Sequence, residues 1–248
     1  MEMRSGDDIE FMKSVEDEYQ RQSGLTSRRY YKLFYSRVHR FPLLVLGLNP
    51  GGKSDGTDLR ASDSFFESWE HDYVRFRKQK TEYKLAGLMC TLLAECLDTE
   101  LVNDLRQVPV SNVVFRRSED WCKLRNKPKA IRDSRPGLEK ITKYVYPDVI
   151  LLISIKAYDV FAGEFCTNLL EIEVDLRGRN RTFVSAGAQV SALRKDVKLL
   201  AVEHPSRFGV KRVLPKLIKE FEQAGLRPIE GSEWLITLKD LQGYGHVV

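Results

Sequence analysis

Four near-continuous apolar runs punctuate the chain: FPLLVLGL at 41–48, VPVSNVVF at 108–115, DVILLIS at 148–154 and VKLLAVEH at 197–204. Each is strand-sized, and between them lie stretches whose apolar residues recur at helical spacing. Residues 7–23 are charged with apolar points at Ile9, Met12 and Val15, which predicts a helix. Residues 27–39 carry Tyr30, Tyr31, Leu33, Phe34 and Val38 at helical spacing, until Pro42 breaks the pattern. Further helices are predicted over 64–78 and 83–97, over GLEKITKYVY between Arg135-Pro136 and Pro147, over AYDVFAGEF, and over VLPKLIKEFEQAG. Residues 170–185 alternate around RGRN, the pattern of a hairpin. Continuous apolar strands separated by helices are the signature of a parallel sheet covered on both faces. The expected fold is therefore α/β: a three-layer α/β/α sandwich around a central, mostly parallel sheet of about four strands. A chain of 248 residues suits one domain, 1–248, with a helical N-terminal extension over about 1–40.

Apolar residues make up 42% of the chain, enough for a substantial core, yet no run approaches the ~20 residues of a membrane span. The opening stretch, MEMRSGDDIEFMKSVEDEYQ, is acidic and has no apolar signal region, so a cytoplasmic protein without a membrane partner is expected. Cys90, Cys96, Cys122 and Cys166 form no C-x-x-C pair, which reads as reduced thiols without a zinc or iron–sulfur site. The net charge of +5 is a mild basic bias concentrated at 27–40, 115–135 and 177–181. It permits a polyanionic partner, while a solvated face is the plain reading of each cluster.

The end of the first apolar run holds the most specific letters. GLNPGGKS at 47–54 fits the phosphate-loop pattern G-x-x-x-x-G-K-[ST]. Such a loop needs its Lys and Ser in the first turn of a helix, where loop amides and helix N-terminus converge on phosphate. Here Asp55-Gly56 follows, a turn signal, with Asp58 close behind. A nucleotide hydrolase or phosphotransferase is thus a minor reading.

Three strand ends taken together point elsewhere. GLNPGG ends the first run, SNVV holds Asn112 in the second, and EHPSRFG ends the fourth. In this order they resemble the uracil-DNA glycosylase superfamily, over about residues 40–220. That family carries a G-x-[ND]-P-G-type motif after its first strand, an Asn on a middle strand and a His-Pro-Ser loop after the last. The combination is most similar to the single-strand-selective monofunctional and mismatch-specific branches. The iron–sulfur cysteines of the thermophile-type branch are not present.

The resemblance implies a monofunctional DNA glycosylase, a monomer without cofactor or metal, that hydrolyses the N-glycosidic bond of uracil or a related deaminated or modified base. Its partner is DNA, single-stranded or duplex, which places it with the nucleoid or in the nucleus. Such an enzyme extrudes the target nucleotide and stabilises a cationic sugar and a departing base anion. Asn49 would orient the attacking water, without the proton affinity of a carboxylate, so turnover should be slow. His204 would aim a ring N–H at the base anion. Asn112 would pair with the base edge through its donor and acceptor, with Gly47 and Leu48 lining the base and Phe65 stacking on it, further along the chain than the family's usual spacing. Pro50, Gly51 and Gly52 would let backbone amides approach DNA, Ser206 would hold a flanking phosphate, and Arg207 and Phe208 would form the wedge. Arg116 and Arg117 would meet backbone phosphates. The main competing reading is a binding or regulatory protein on the same fold with a repurposed pocket.

Overall fold

A computed structural model of the chain describes residues 5–51, 107–204 and 213–226. The helices expected at 64–78 and 83–97 lie outside these residues. By internal packing the chain divides into two units, one of Met1–Asp72 with Arg106–His204 and one of Tyr73–Leu105 with Pro205–Val248.

The first unit is built on a sheet of strands β1 (Leu43–Gly47), β2 (Val110–Asn112), β3 (Val149–Leu152), β4 (Cys166–Arg177), β5 (Asn180–Val190) and β6 (Asp196–Val202). Their order is β2-β1-β3-β6-β5-β4. The first four in that order are parallel, while β5 joins β6 and β4 joins β5 antiparallel. The fold is α/β as expected, but the sheet is mixed and six-stranded rather than about four-stranded. The four apolar runs are the four parallel strands. The remaining two come from the alternating stretch around RGRN, which is longer than the 170–185 expected and sits in the same sheet. Its two-residue loop has a positive φ only at Gly178, +62°, the turn that matches strand twist with Gly in first place.

Leu43 to Leu46 and Val149 to Leu152 are wholly buried, although successive side chains point to opposite faces. Both faces of these strands are therefore covered, which explains their unbroken apolar sequence. β4 is the sheet's free edge. Three register shifts interrupt its pairing, and it leaves Leu170 (67%) and Ile172 (64%) exposed.

Helix α1 (Ser5–Ser23) buries Met12, Val15 and Tyr19, spaced to share one face, and ends at Gly24, whose φ of +73° suits a glycine. It packs on α2 (Lys127–Val145), where the Phe11 and Tyr144 rings stack at 3.7 Å. α2 begins well before Pro136, contrary to the sequence expectation. Asn126 caps its first turn by accepting from Lys129 N, and a proline within that turn presets the helical φ. Pro136 is accommodated inside the helix next to Gly137, where a Cβ would stand 2.8 Å from the Phe115 ring. α3 (Ile155–Phe165) follows β3 directly, its start capped by Ser154.

The larger correction concerns 27–39. This segment is not helical. It runs extended along the outer edge of β2, with antiparallel bridges Tyr31 to Arg116 and Phe34 to Ser111. Lys32 N donates to Phe115 O at 2.8 Å and Tyr35 N to Val110 O at 3.0 Å. An open edge strand would leave a row of backbone groups unmet, and pairing wins over helical spacing here. Arg28 then clamps the segment to α1 through both oxygens of Glu16, each at 2.6 Å, while Tyr31 donates to the same carboxylate. The N-terminal extension is therefore one helix and one extended arm. In the second unit, α4 (Leu214–Gln223) buries Leu214, Leu217 and Phe221 along one face.

Candidate functional site

Parallel strands β2, β1, β3 and β6 all end on the same edge of the sheet, so Asn49, Asn112 and His204, which lie at or just past three of those ends, share that edge. β1 and β3 are neighbours whose onward connections leave in opposite directions, from β1 to β2 on one side and from β3 through α3 to β4, at the far edge, on the other. Such a switch point opens a crevice at the strand ends, the usual place for a ligand in an open α/β sheet.

The loop after β1 is zipped to the segment after β2. Gly47 O accepts from Val113 N, Leu48 O from Val114 N and Pro50 O from Ser118 N, at 2.8, 2.9 and 3.1 Å. Gly51 O accepts from Arg117 Nη1 at 3.0 Å. With its carbonyls held on this side, the Leu48–Gly51 stretch is a fixed ledge. Asn49 sits on it half-buried, its Nδ2 donating to Pro50 O at 3.2 Å and to Ser118 Oγ at 3.3 Å.

Asn112 is directly beside Gly47 in register. It is 3% exposed, and its Nδ2 donates to Lys32 O of the arm at 3.4 Å. Its Oδ1 lies 2.6 Å from where a Cβ on Gly47 would stand. Gly47 is thus a packing requirement: any side chain there would displace the amide. His204 follows β6, half-buried, where Glu203 N donates to Thr182 O at 2.9 Å.

The sheet therefore brings Asn49, Asn112 and His204 to one edge, but not side by side. Asn112 and His204 lie at the ends of strands three places apart. At about 4.8 Å per strand their backbones are about 14 Å apart. Only side chains leaning inward toward the β1–β3 switch point would reach a common ligand the size of one base.

The two arginines expected at phosphates part company. Arg117 is 5% exposed and spends its guanidinium on the carbonyls of Gly51 and Arg28. It is a scaffold residue that ties the ledge to the arm. Arg116 stays half-exposed, and its charge acts on the Tyr19 phenol of α1. Phe65, Gly52, Ser206, Arg207 and Phe208 lie outside the described residues, as does the Lys-Ser end of the phosphate-loop match. Sequence reasoning missed Ser118 and the Lys32 carbonyl. The first is an unremarked serine beyond the RR pair, and the second is a backbone group that no residue type can announce.

Among the described residues, no group of three or more His, Cys, Asp or Glu lies within reach of one metal ion, and no helix is long and apolar enough to cross a membrane. Cys122 is an exposed thiol; burial pushes the Cys166 thiol up to about 12, which keeps it protonated. Comparison with protein-family models and with curated proteins finds no match for this chain.

Proposed function

We propose that the chain is a monofunctional DNA glycosylase for uracil or a related deaminated or modified base, on a three-layer α/β/α domain. One observation carries this reading: Asn49, Asn112 and His204 lie at one edge of the four parallel strands around the switch point, with the two amide side chains hydrogen-bonded on adjacent strand ends. An acceptor on the ledge suits an attacking water, and an amide beside Gly47 suits a base edge. A ring nitrogen at His204 suits the anion that forms as the glycosidic bond breaks. The electrons of that bond leave with the base, and water supplies oxygen to the sugar carbon and a proton to the product. No cofactor is required by this balance. The partner is DNA, bound by a monomer in the compartment that holds it.

A second reading draws on the about 14 Å between the Asn112 and His204 strand ends. That span is wide for one base, which favours a protein that binds nucleic acid on the same fold without excising anything. One assay separates the two. The protein is incubated with uracil-containing single-stranded and duplex oligonucleotides, and abasic sites are cleaved with alkali. Strand cleavage only at uracil is expected. Binding without cleavage on every substrate base tried would leave the second reading standing.

A further inference from the structure

We propose that Ser118 is a positioning residue of this site, which sets the direction of the Asn49 amide so that its oxygen faces the ligand. The chemical use of that oxygen rests on the glycosylase reading; the direction itself does not.

A chain of proton directions leads to this assignment. The Asp120 carbonyl can only accept, so the short bond from Ser118 Oγ to Asp120 O spends the single hydroxyl proton. What Ser118 offers Asn49 is therefore a lone pair. The Pro50 carbonyl likewise can only accept. The end of the Asn49 side chain that meets both, at 3.2 and 3.3 Å, must then be the NH2 group. Flipping the amide would set an oxygen against two acceptors and lose both bonds. Oδ1 is consequently the end turned away from Pro50 O and Ser118 Oγ, and it can accept but not donate.

Ser118 is well placed to impose this. It is 2% exposed, its own N–H is anchored on Pro50 O, and the neighbouring Arg117 grips Gly51 O. Its hydroxyl is thus shielded from water that would offer the proton another partner. The direction matters for the proposed reaction. An accepting Oδ1 holds one proton of a water and leaves the water's lone pair free for the sugar carbon. A flipped NH2 would occupy that lone pair and turn the protons toward the developing cation. Ser118 thereby sets the polarity of Asn49 as well as its position.

Side-chain NMR on the full-length protein tests the direction without any assay of activity. In the wild type, NOEs are expected from the Asn49 Hδ2 protons to the Ser118 Hβ protons. Their absence overturns the proposal. In Ser118→Ala, hydrogen exchange of the Asn49 NH2 group should quicken by about tenfold, the scale of one lost hydrogen bond. Ser118→Thr, which keeps the hydroxyl, should restore wild-type exchange. Uracil excision should follow the same order: kcat down by about tenfold in the alanine variant with KM unchanged, and recovered in the threonine variant. Equal losses in both variants, or a loss confined to KM, would make Ser118 a packing residue and overturn the assignment. If the wild-type protein excises no base, the glycosylase reading falls, and the NOE and exchange results still decide whether Ser118 sets the amide.

Discussion

On the glycosylase reading, Asn49, Gly47 and His204 each act through one local constraint. An amide at position 49 can hold a water but cannot take its proton. Asn49→Asp supplies that base, and uracil excision should rise by about one to two orders of magnitude. Asn49→Ala should lower it through lost positioning, and His204→Ala should lower it by about 10²–10³, the cost of one anion-stabilising donor. Rates on a single-stranded uracil oligonucleotide check all three, with circular dichroism to confirm folding. Wild-type rates in both alanine variants would remove the site assignment. Gly47→Ala tests the neighbouring contact. A Cβ placed 2.6 Å from Asn112 Oδ1 forces that amide aside. Excision should fall while stability drops by only about 1–2 kcal/mol, because the amide's far end gives way before the backbone does. Urea unfolding alongside the rate measurement separates the two effects. At this scale the letters put Gly47, Asn49 and Asn112 at or beside strand ends, and strand pairing brings those ends together. Ser118 was not legible in them, since its role depends on a partner 69 positions away in the chain.

Between elements, the arm along β2 changes how the basic cluster is understood. Helical spacing over 27–39 was a fair reading of its apolar residues, yet an extended segment buries Tyr31, Leu33 and Phe34 as well, and it also satisfies the β2 edge. Periodicity cannot weigh that second gain, because the unmet edge belongs to another part of the chain. The same pairing turns Arg117 inward. Charge reversal therefore has different outcomes at adjacent positions. On the proposed reading that the chain binds DNA, Arg116→Glu should leave the fold intact, weaken binding alike for all sequences and reduce the salt slope by about 1. Arg117→Glu should destabilise the protein by roughly 3–5 kcal/mol, since it buries a carboxylate against two carbonyls. Fluorescence anisotropy across a salt series and thermal melts distinguish them. An Arg117→Glu protein with an unchanged melt would refute the scaffold role.

At the scale of the whole described fold, buried and half-buried phenols predict a pH dependence of stability. Burial raises the Tyr19 and Tyr31 hydroxyls above their ordinary value; burial also raises those of Tyr144 and Tyr158, with acceptance by Asp8 and Glu171 adding to it. As pH passes about 10, tyrosines of the unfolded chain lose protons that the folded chain still holds. The unfolded state then binds fewer protons, so unfolding becomes more favourable with rising pH. Urea midpoints should be level through about pH 9 and decline beyond it, with a shallower decline in Tyr31→Phe. A midpoint unchanged at pH 11 would contradict the burial of these rings.

Near-continuous apolar runs by themselves pointed to β1, β2, β3 and β6 as parallel strands within an α/β fold, because a strand covered on both faces, as β1 and β3 are, tolerates such a run. Alternation around RGRN determined a hairpin. The order of strands, the joining of that hairpin to β6 as a fifth and sixth strand, and the course of the arm were decided by tertiary pairing. Hydrogen bonds between backbone groups are blind to side-chain identity, so partners far apart in the chain leave no trace in the letters. The direction of the Asn49 amide belongs to the same class, since it follows from where Asp120, Pro50 and Ser118 come together.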